Sequence, residues 1–298
     1  MDLMDYGRRP VDFTGATAPA ADNSHFTRRG FLVTSLASGF ALASSPLAAQ
    51  AIHTDDKGLV AGAIEIKVAG GSIPAYRARP AKRGPHPVLL VIQEIFGVHE
   101  HIQDVCRRYA KLGYLAIAPE LFARQGDVSK MSDIGQILQQ IVARVPDAQV
   151  MADLDATVAH ARKVEGGHVS RLGIVGYCWG GRTTWLYAAH NPQVKAGVAY
   201  YGLISGMKSE IKPQDPIDIG AKLKVPVLGL YATKDAYIPL DVVAQMQGEL
   251  MKSGSGSAIV VLPGVDHGFN ADYRPTYDAT AAAYASKLAL DWLADHGA

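Results

Sequence analysis

The sequence has few cysteines and almost no net charge, and both features narrow the classes of protein that it can encode. Only two cysteines, Cys106 and Cys178, occur among 298 residues, so no framework of disulfide bonds holds the fold together. The formal net charge is +1, and no stripe of basic residues alternates with aromatic ones. A nucleic-acid partner is therefore not expected, and the expected partner is a small molecule.

Signatures for metal ions are also missing, although ten histidines occur. His99, Glu100 and His101 lie too close together for the H-E-x-x-H pattern of zinc enzymes. No cluster of cysteines and histidines has the spacing of metal ligands either. We interpret the trio as a polar loop that runs into the start of a helix, and we expect neither a metal ion nor another cofactor.

The first fifty residues lack the pattern of a folded domain. They are polar and small at first, and Arg28 and Arg29 then precede the uncharged run 31–49, which ends in small residues. Paired arginines, an apolar run and a small-residue end are the parts of a twin-arginine export signal. We predict that residues 1–51 are this signal and are removed, that residues 52–298 form one domain, and that the protein is exported to the periplasm.

The run 31–49 is also long enough to raise the alternative of a membrane anchor, because about 17 to 25 apolar residues can cross a bilayer. Gly39, Pro46 and several serines make this run only weakly apolar. These residues favour cleavage of the signal, so no stable insertion into a membrane is expected afterwards.

The rest of the chain alternates strand patterns with helix patterns. Apolar runs predict buried strands at 88–92, 114–118, 172–177, 196–200, 225–231 and 258–262, after an amino-terminal hairpin at 64–78. Helices are predicted at 102–112, 131–143, 147–164, 182–189 and 276–293. Strands separated by long helices need crossover connections, which make a sheet mostly parallel. We therefore predict an α/β fold in which helices cover both faces of a mostly parallel central sheet.

One strand-to-helix turn carries a candidate nucleophile. The sequence Gly-Tyr-Cys-Trp-Gly-Gly at 176–181 follows a predicted strand and places Cys178 between glycines. A G-x-S-x-G turn pushes a nucleophile out of the carboxyl edge of a sheet, and here sulfur replaces oxygen. The pattern alone is equally well explained by a small, buried apolar cysteine, so a base and an acid are needed to support catalysis.

Two loops supply these groups, in the chain order nucleophile, acid, histidine of the α/β-hydrolase sheet. Asp235 and His267 each follow a predicted strand. We predict that His267 accepts the thiol proton of Cys178 and later activates water, while Asp235 holds the useful tautomer of the imidazole. Asp266 competes for the role of the acid, but its side chain is expected to point away from that of its neighbour His267.

The negative oxygen of a tetrahedral intermediate needs two converging N–H donors. Trp179 directly follows the nucleophile, and the loop 93–97 follows an earlier predicted strand. We predict that the backbone amides of Trp179 and Ile95 form this oxyanion hole. Losing one such donor typically costs about 3 to 4 kcal/mol of transition-state stabilisation.

Five motifs in order resemble those of the dienelactone hydrolases, which are carboxymethylenebutenolidases. They are Gln93-Glu94-Ile95-Phe96-Gly97, Leu121-Phe122-Ala123-Arg124-Gln125, the turn at 176–181, the Asp235 loop and His267-Gly268-Phe269. The resemblance extends from about residue 62 to the C-terminus. It implies a cofactor-free cysteine hydrolase of the α/β-hydrolase fold that opens a small unsaturated lactone.

The resemblance also implies roles for charged residues. In the family, the glutamate that matches Glu94 contacts the resting thiol and swings away when substrate arrives, which helps to form the thiolate. A structural role, as a hydrogen-bonded carboxylate, is an equally weighted alternative for Glu94.

In the family, arginines bind the carboxylate of the substrate. One matches Arg124, the other falls at Ala271, and Arg274 lies three residues further along and is a candidate substitute. Because recognition by arginine is directional, this departure concerns specificity more than the hydrolase chemistry.

Aromatic residues near these motifs are candidates for the wall of the substrate pocket, although each is also typical of a hydrophobic core. They are Phe96, Phe122, Trp179, Tyr237 and Phe269.

The leading hypothesis is that the protein is a cysteine hydrolase of a small ester or lactone. One alternative is a broader carboxylesterase or thioesterase with the same triad. Another is a non-catalytic exported binding protein that retains the hydrolase scaffold.

Overall fold

The computed structural model describes residues 51–82 and 84–298. Of the predicted export signal, only Ala51 falls within this range, and the rest of the signal lies outside the described residues. Within the range, no helix is both long enough and apolar enough to cross a membrane.

An eight-stranded sheet forms the centre of the domain. Its strands are β1 (Leu59–Val68), β2 (Gly71–Pro80), β3 (Pro87–Ile92), β4 (Leu115–Pro119), β5 (His168–Tyr177), β6 (Val194–Tyr200), β7 (Val227–Ala232) and β8 (Ala258–Leu262). Their order across the sheet is β1-β2-β4-β3-β5-β6-β7-β8. The pairs β1–β2 and β2–β4 are antiparallel, and all pairs from β4 to β8 are parallel. The predicted mostly parallel sheet is confirmed.

Five longer helices pack around this sheet in the described part of the chain. They are α1 (Glu100–Lys111), α2 (Asp147–Lys163), α3 (Trp179–His190), α4 (Leu240–Ser253) and α5 (Ala279–Asp295), with short helical turns at Val128–Lys130, Ile134–Gln136, Ile137–Ile141, Val142–Arg144, Pro216–Ile219 and Gly220–Lys222. Every residue of β4 and β7 is buried. Because successive side chains of a strand point to opposite faces, both faces of the sheet are covered.

Two helices differ from the sequence prediction. In place of one helix at 131–143, the chain forms consecutive short turns of α, π and 3-10 type. These turns bury the adjacent residues Ile141 and Val142 together, whereas neighbours on a regular α-helix point about 100° apart. The last helix begins at Ala279 rather than 276, because the carboxylate of Asp278 caps it by accepting from the amide of Ala281 at 2.8 Å.

Candidate active site

Cys178 lies on the sharp turn between β5 and α3. Its φ of 55° and ψ of −113° are unusual for a residue with a side chain, and such a conformation costs about 1 to 3 kcal/mol. Backbone hydrogen bonds fix the turn, since the amide of Cys178 donates to the carbonyl of Tyr200 at 3.0 Å and its carbonyl accepts from the amide of Gly181 at 3.0 Å. The sheet thus presents a strained, buried thiol at its carboxyl edge.

The loops after β7 and β8 bring Asp235 and His267 together. Asp235 Oδ2 lies 2.7 Å from His267 Nδ1, and both residues are buried. Burial works against a charged imidazole, but the electrostatic effects of the neighbouring Asp235 and Cys178 side chains outweigh it and raise the pKa of His267 to about 10. Nε2 makes no hydrogen bond of normal geometry within the described residues, although Cys178 is close enough to influence this pKa. Nδ1 is therefore committed to Asp235, and Nε2 is the nitrogen left for the thiol.

Asp266 contacts the same histidine at a different atom. Its Oδ1 accepts from the backbone N–H of His267 at 2.8 Å. The ring of His267 therefore has Asp235 as its carboxylate partner, and the role of Asp235 as the catalytic acid stays a prediction.

The two amides expected to form an oxyanion hole lie at the ends of neighbouring strands. Trp179 is the first residue of α3, and Ile95 follows β3. Outside the regular helix and strand ladders, neither amide donates a backbone hydrogen bond within the described residues. The first N–H groups of a helix lack intrahelical partners and are suited to binding an anion. The role of these amides in catalysis stays a prediction.

Glu94 is fully buried, and two neighbouring residues of one loop hold its carboxylate. Tyr273 donates its hydroxyl proton to Oε2, and the guanidinium of Arg274 lies 3.2 Å from Oε1 as an ion pair. Burial acts to raise the pKa of Glu94, but the positive charge of Arg274, with smaller contributions from nearby groups, holds it below its ordinary value. Neither contact involves Cys178. The mobile role of Glu94 implied by the family resemblance stays a prediction. Tyr273 belongs to none of the sequence motifs, so its contact with Glu94 was not predicted.

The side chain of Arg274 points towards Glu94 and Phe96. The sequence alone did not decide the direction of this side chain. Its guanidinium carbon lies 5.1 Å from the ring centre of Phe96, in addition to its contact with Glu94. Gly268 makes room for it, because a β-carbon there would lie 3.0 Å from Arg274 Nη1, and φ of +78° disfavours any side chain. Ala271, at the position of the family arginine, is fully buried. Arg274 is therefore the arginine that this loop brings to Glu94.

Asp272 fixes the loop that carries Arg274. Its Oδ1 lies 3.0 Å from His101 Nδ1, and its Oδ2 accepts from Arg108; both partners belong to α1. The side chains of His101 and Asp272 are 2 % and 1 % exposed. The loop is thus tied to α1 on one side and to Glu94 on the other. The local sequence pattern does not predict this connection.

Arg124, the other arginine expected to bind substrate, already has a carboxylate partner. Its guanidinium donates to the buried carboxylate of Asp153 on α2. The side chain of Arg124 is still 33 % exposed, so part of it faces solvent. Binding a substrate carboxylate would require Arg124 to share or leave Asp153, and its role in binding stays a prediction.

The aromatic candidates divide into a half-buried group and a buried group. Phe96 and Tyr237 are half-buried, and the ring of Tyr237 meets that of His267 edge-on at 5.0 Å. Phe96 also lines a cavity of about 410 Å³ beside the loop after β4. The remaining three are almost fully buried; they are Phe122, Trp179 and Phe269. Phe96 and Tyr237 are therefore better placed than the buried residues to form a pocket wall.

The strand order, the sharp turn after β5 and the histidine and aspartate loops after β8 and β7 together define an α/β hydrolase. Residues 73–297 match the dienelactone hydrolase family, and the chain belongs to this family.

Its relatives carry consistent names. A "Putative carboxymethylenebutenolidase" of Methylorubrum extorquens is 54 % identical over 278 residues, which are 93 % of this chain and 96 % of that protein. A protein of the same name from Escherichia coli is 50 % identical over 267 residues, covering 89 % and 98 %. The crystal structure of a "Putative Dienelactone Hydrolase" from Klebsiella pneumoniae has a TM-score of 0.77 at 52 % identity, covering 79 % of this chain and 98 % of its own. The chain is an ester-bond hydrolase of the dienelactone hydrolase type.

Proposed function

We propose that the protein hydrolyses a small ester or lactone through the thiolate of Cys178, with His267 as the base and Asp235 as the residue that orients it. The 2.7 Å contact between Asp235 and His267, beside a cysteine on a strained turn, carries this proposal. A cysteine that served only to fill space would need neither the strained backbone nor a buried imidazole with a carboxylate behind it.

The reaction follows from these positions. Cys178 passes its proton to Nε2 of His267, and the thiolate attacks the carbonyl carbon of the substrate. Negative charge develops on the carbonyl oxygen, where the amides of Ile95 and Trp179 can donate to it. The bond from carbon to the leaving oxygen breaks as His267 returns the proton to that oxygen. Water, losing its proton to His267, then attacks the thioester and releases the acid and the thiol.

The surroundings of Arg274 support a substrate that carries a carboxylate. Its guanidinium is paired with Glu94, and Phe96 lies against it. A substrate carboxylate would compete with Glu94 for this cation. The family resemblance supports the further step in which Glu94, freed from Arg274, assists deprotonation of Cys178.

A Cys178→Ala variant tests the chemistry. We expect it to lose all turnover of activated esters while keeping the melting temperature of the parent within a few degrees, and retained turnover would rule out the cysteine as nucleophile.

The rate of alkylation of Cys178, measured against pH, distinguishes an enzyme from a non-catalytic binding protein. An activated thiolate reacts well below the pH at which a free cysteine does. Rates on a carboxylate-bearing lactone and a neutral ester of equal size distinguish a dienelactone-type enzyme from a broader esterase.

We also propose that residues 1–51 direct export to the periplasm by the twin-arginine route. The paired Arg28 and Arg29 before the uncharged run 31–49 support this proposal. Replacing both arginines by lysine should leave active protein in the cytoplasm, measured by cell fractionation. Appearance of the double variant in the periplasm at the parental level would contradict it.

A further inference from the structure

The segment 52–57 joins the end of the predicted export signal to β1, and the hydrolysis steps do not use it. It forms neither a helix nor a strand, and its residues are exposed except for Thr54, which is half-buried. Segments of this kind near a chain end are poorly ordered unless contacts tie them down. Here the segment is tied to α1, and we call it the N-terminal strap.

Thr54 ties the strap to a buried carboxylate of α1. Its backbone N–H donates to Oδ1 of Asp104 at 2.6 Å, and its hydroxyl donates to Oδ2 at 3.3 Å. The carbonyl of Thr54 accepts from Nε of Arg107 at 2.8 Å. The side chain of Asp104 is 0 % exposed, and a buried carboxylate is costly unless it is paired and hydrogen-bonded. Thr54 therefore supplies part of the hydrogen bonding that Asp104 requires.

The same carboxylate connects the strap to the loop that carries Arg274. Oδ2 of Asp104 accepts from Nε of Arg108 at 2.6 Å, and Nη2 of Arg108 donates to Oδ2 of Asp272. Arg108 thus bridges two carboxylates that are almost completely buried. Because these carboxylates are shielded from solvent, their attraction to the guanidinium is screened less than at the surface. A continuous chain of polar contacts therefore joins Thr54 to Asp272.

The far end of this chain lies at the candidate active site. Asp272 is followed directly by Tyr273, which donates to Glu94, and by Arg274, which lies 3.2 Å from Glu94. Glu94 in turn precedes Ile95, whose amide is the predicted oxyanion donor. A shift of Asp272 would reach Arg274 through only two peptide bonds. The chain of contacts is therefore continuous from the strap to the site.

A second contact of the strap lies on the surface and offers a comparison. Oδ1 of Asp55 accepts from Nζ of Lys111 at 2.6 Å, and the two side chains are 53 % and 35 % exposed. Exposed ion pairs of this kind contribute little to stability. The pair involves neither Asp104 nor Arg108, so it fastens the strap to α1 without leading to the site.

We propose that the N-terminal strap is a positioning element of the active site and that Thr54 is the residue through which it acts. Thr54 holds Asp104, the bridge through Arg108 fixes the loop, and the loop keeps its arginine beside the carboxylate of Glu94. The effect on turnover rests on the proposed function, whereas the effect on the loop does not. The segment that follows the predicted signal is then part of the enzyme rather than a linker.

A Thr54→Pro variant of the full chain tests this role, because proline has neither the N–H nor the hydroxyl that Asp104 accepts from. We expect KM for a carboxylate-bearing lactone to rise about three- to tenfold, which is part of the effect of losing a hydrogen bond to a charged group. We expect kcat on this lactone, and both constants on a neutral ester of equal size, to change less than about twofold. Asp55→Asn is the matched control, since it removes the neighbouring surface contact, and it should leave all these constants unchanged.

A double-mutant cycle with Asp272→Asn separates positioning from general stabilisation. If the strap acts through Asp272, the variant that carries both substitutions should have a KM within about twofold of Asp272→Asn alone. Effects that multiply in the double variant would overturn the proposal, and so would a folded Thr54→Pro protein with the parental KM.

Hydrogen exchange, measured by mass spectrometry, adds a readout that needs no substrate. The amides of residues 268–274 should exchange at least about tenfold faster in Thr54→Pro than in the parent, while those of β7 and β8 should keep their rates. If the parent turns over neither substrate but this pattern holds, the proposed function fails and the coupling of strap and loop stands. Unchanged exchange in the loop, or an equal rise throughout the domain, would overturn the coupling and leave the hydrolase intact.

Discussion

An Asp235→Asn variant would remove one charge from the buried contact with His267 and leave the shape of the side chain almost unchanged. The two side chains are 0 % and 4 % exposed, so water cannot easily replace the lost carboxylate. The amide of asparagine can donate to Nδ1, which leaves the ring proton on Nε2. Nε2 is the atom that must accept the thiol proton of Cys178. We therefore expect kcat to fall about 10³- to 10⁴-fold, or about 4 to 5.5 kcal/mol in activation free energy.

The same variant should change the dependence of stability on pH. The pKa of His267 is raised to about 10, because Asp235 and Cys178 outweigh the effect of burial. Protonation of the ring therefore stabilises the fold fully below its ordinary pKa near 6.5, and this contribution is lost as the pH rises through about 10. Without the charge of Asp235, the pKa of His267 falls. The melting temperature of Asp235→Asn should then vary less between pH 6.5 and 10 than that of the parent.

Asp266→Asn provides the control. Asp266 accepts a hydrogen bond from the backbone N–H of His267, whereas the ring of His267 contacts Asp235. We expect its kcat to stay within about threefold of the parent, measured with the same activated ester. An Asp235→Asn protein that keeps more than a tenth of the parental kcat would refute the role of Asp235, particularly if Asp266→Asn loses most of its kcat.

Three further variants test the loop that carries Arg274. Gly268→Ala should lower the free energy of unfolding by about 1 to 2 kcal/mol, because Gly268 has a positive φ. It should also raise KM for a carboxylate-bearing lactone, because the added β-carbon displaces Arg274. Unchanged thermal unfolding and an unchanged KM would contradict this prediction. Asp272→Asn should loosen the loop from His101 and raise that KM more than it lowers kcat, and an equal effect on a neutral ester would argue against it. Glu94→Gln should leave alkylation of the resting thiol unchanged, because Glu94 is held by the loop, yet lower kcat; faster or slower alkylation would contradict this.

Much of the fold could be predicted because the central strands are buried on both faces and read as continuous apolar runs. The run 88–92, for example, became β3 (Pro87–Ile92). The positions of Asp235 and His267 could also be predicted from the sequence, because both residues follow strands. The position of the Arg274 loop could not be predicted, because it depends on contacts of Asp272 with residues of α1 that are 164 and 171 positions away in the chain. No local pattern encodes contacts of that range.

The backbone of this loop explains how an arginine three residues from its family position still reaches the site. Successive turns join the amide of Ala271 to the carbonyl of Gly268 at 2.9 Å, and the amide of Arg274 to the carbonyl of Ala271 at 2.9 Å. In a chain wound by such i to i+3 hydrogen bonds, residues three apart point in nearly the same direction and are offset by about 6 Å. The long arginine side chain can span that offset. The loop therefore places a cation beside Glu94 from a different attachment point, which supports the proposed binding of a substrate carboxylate with an altered geometry.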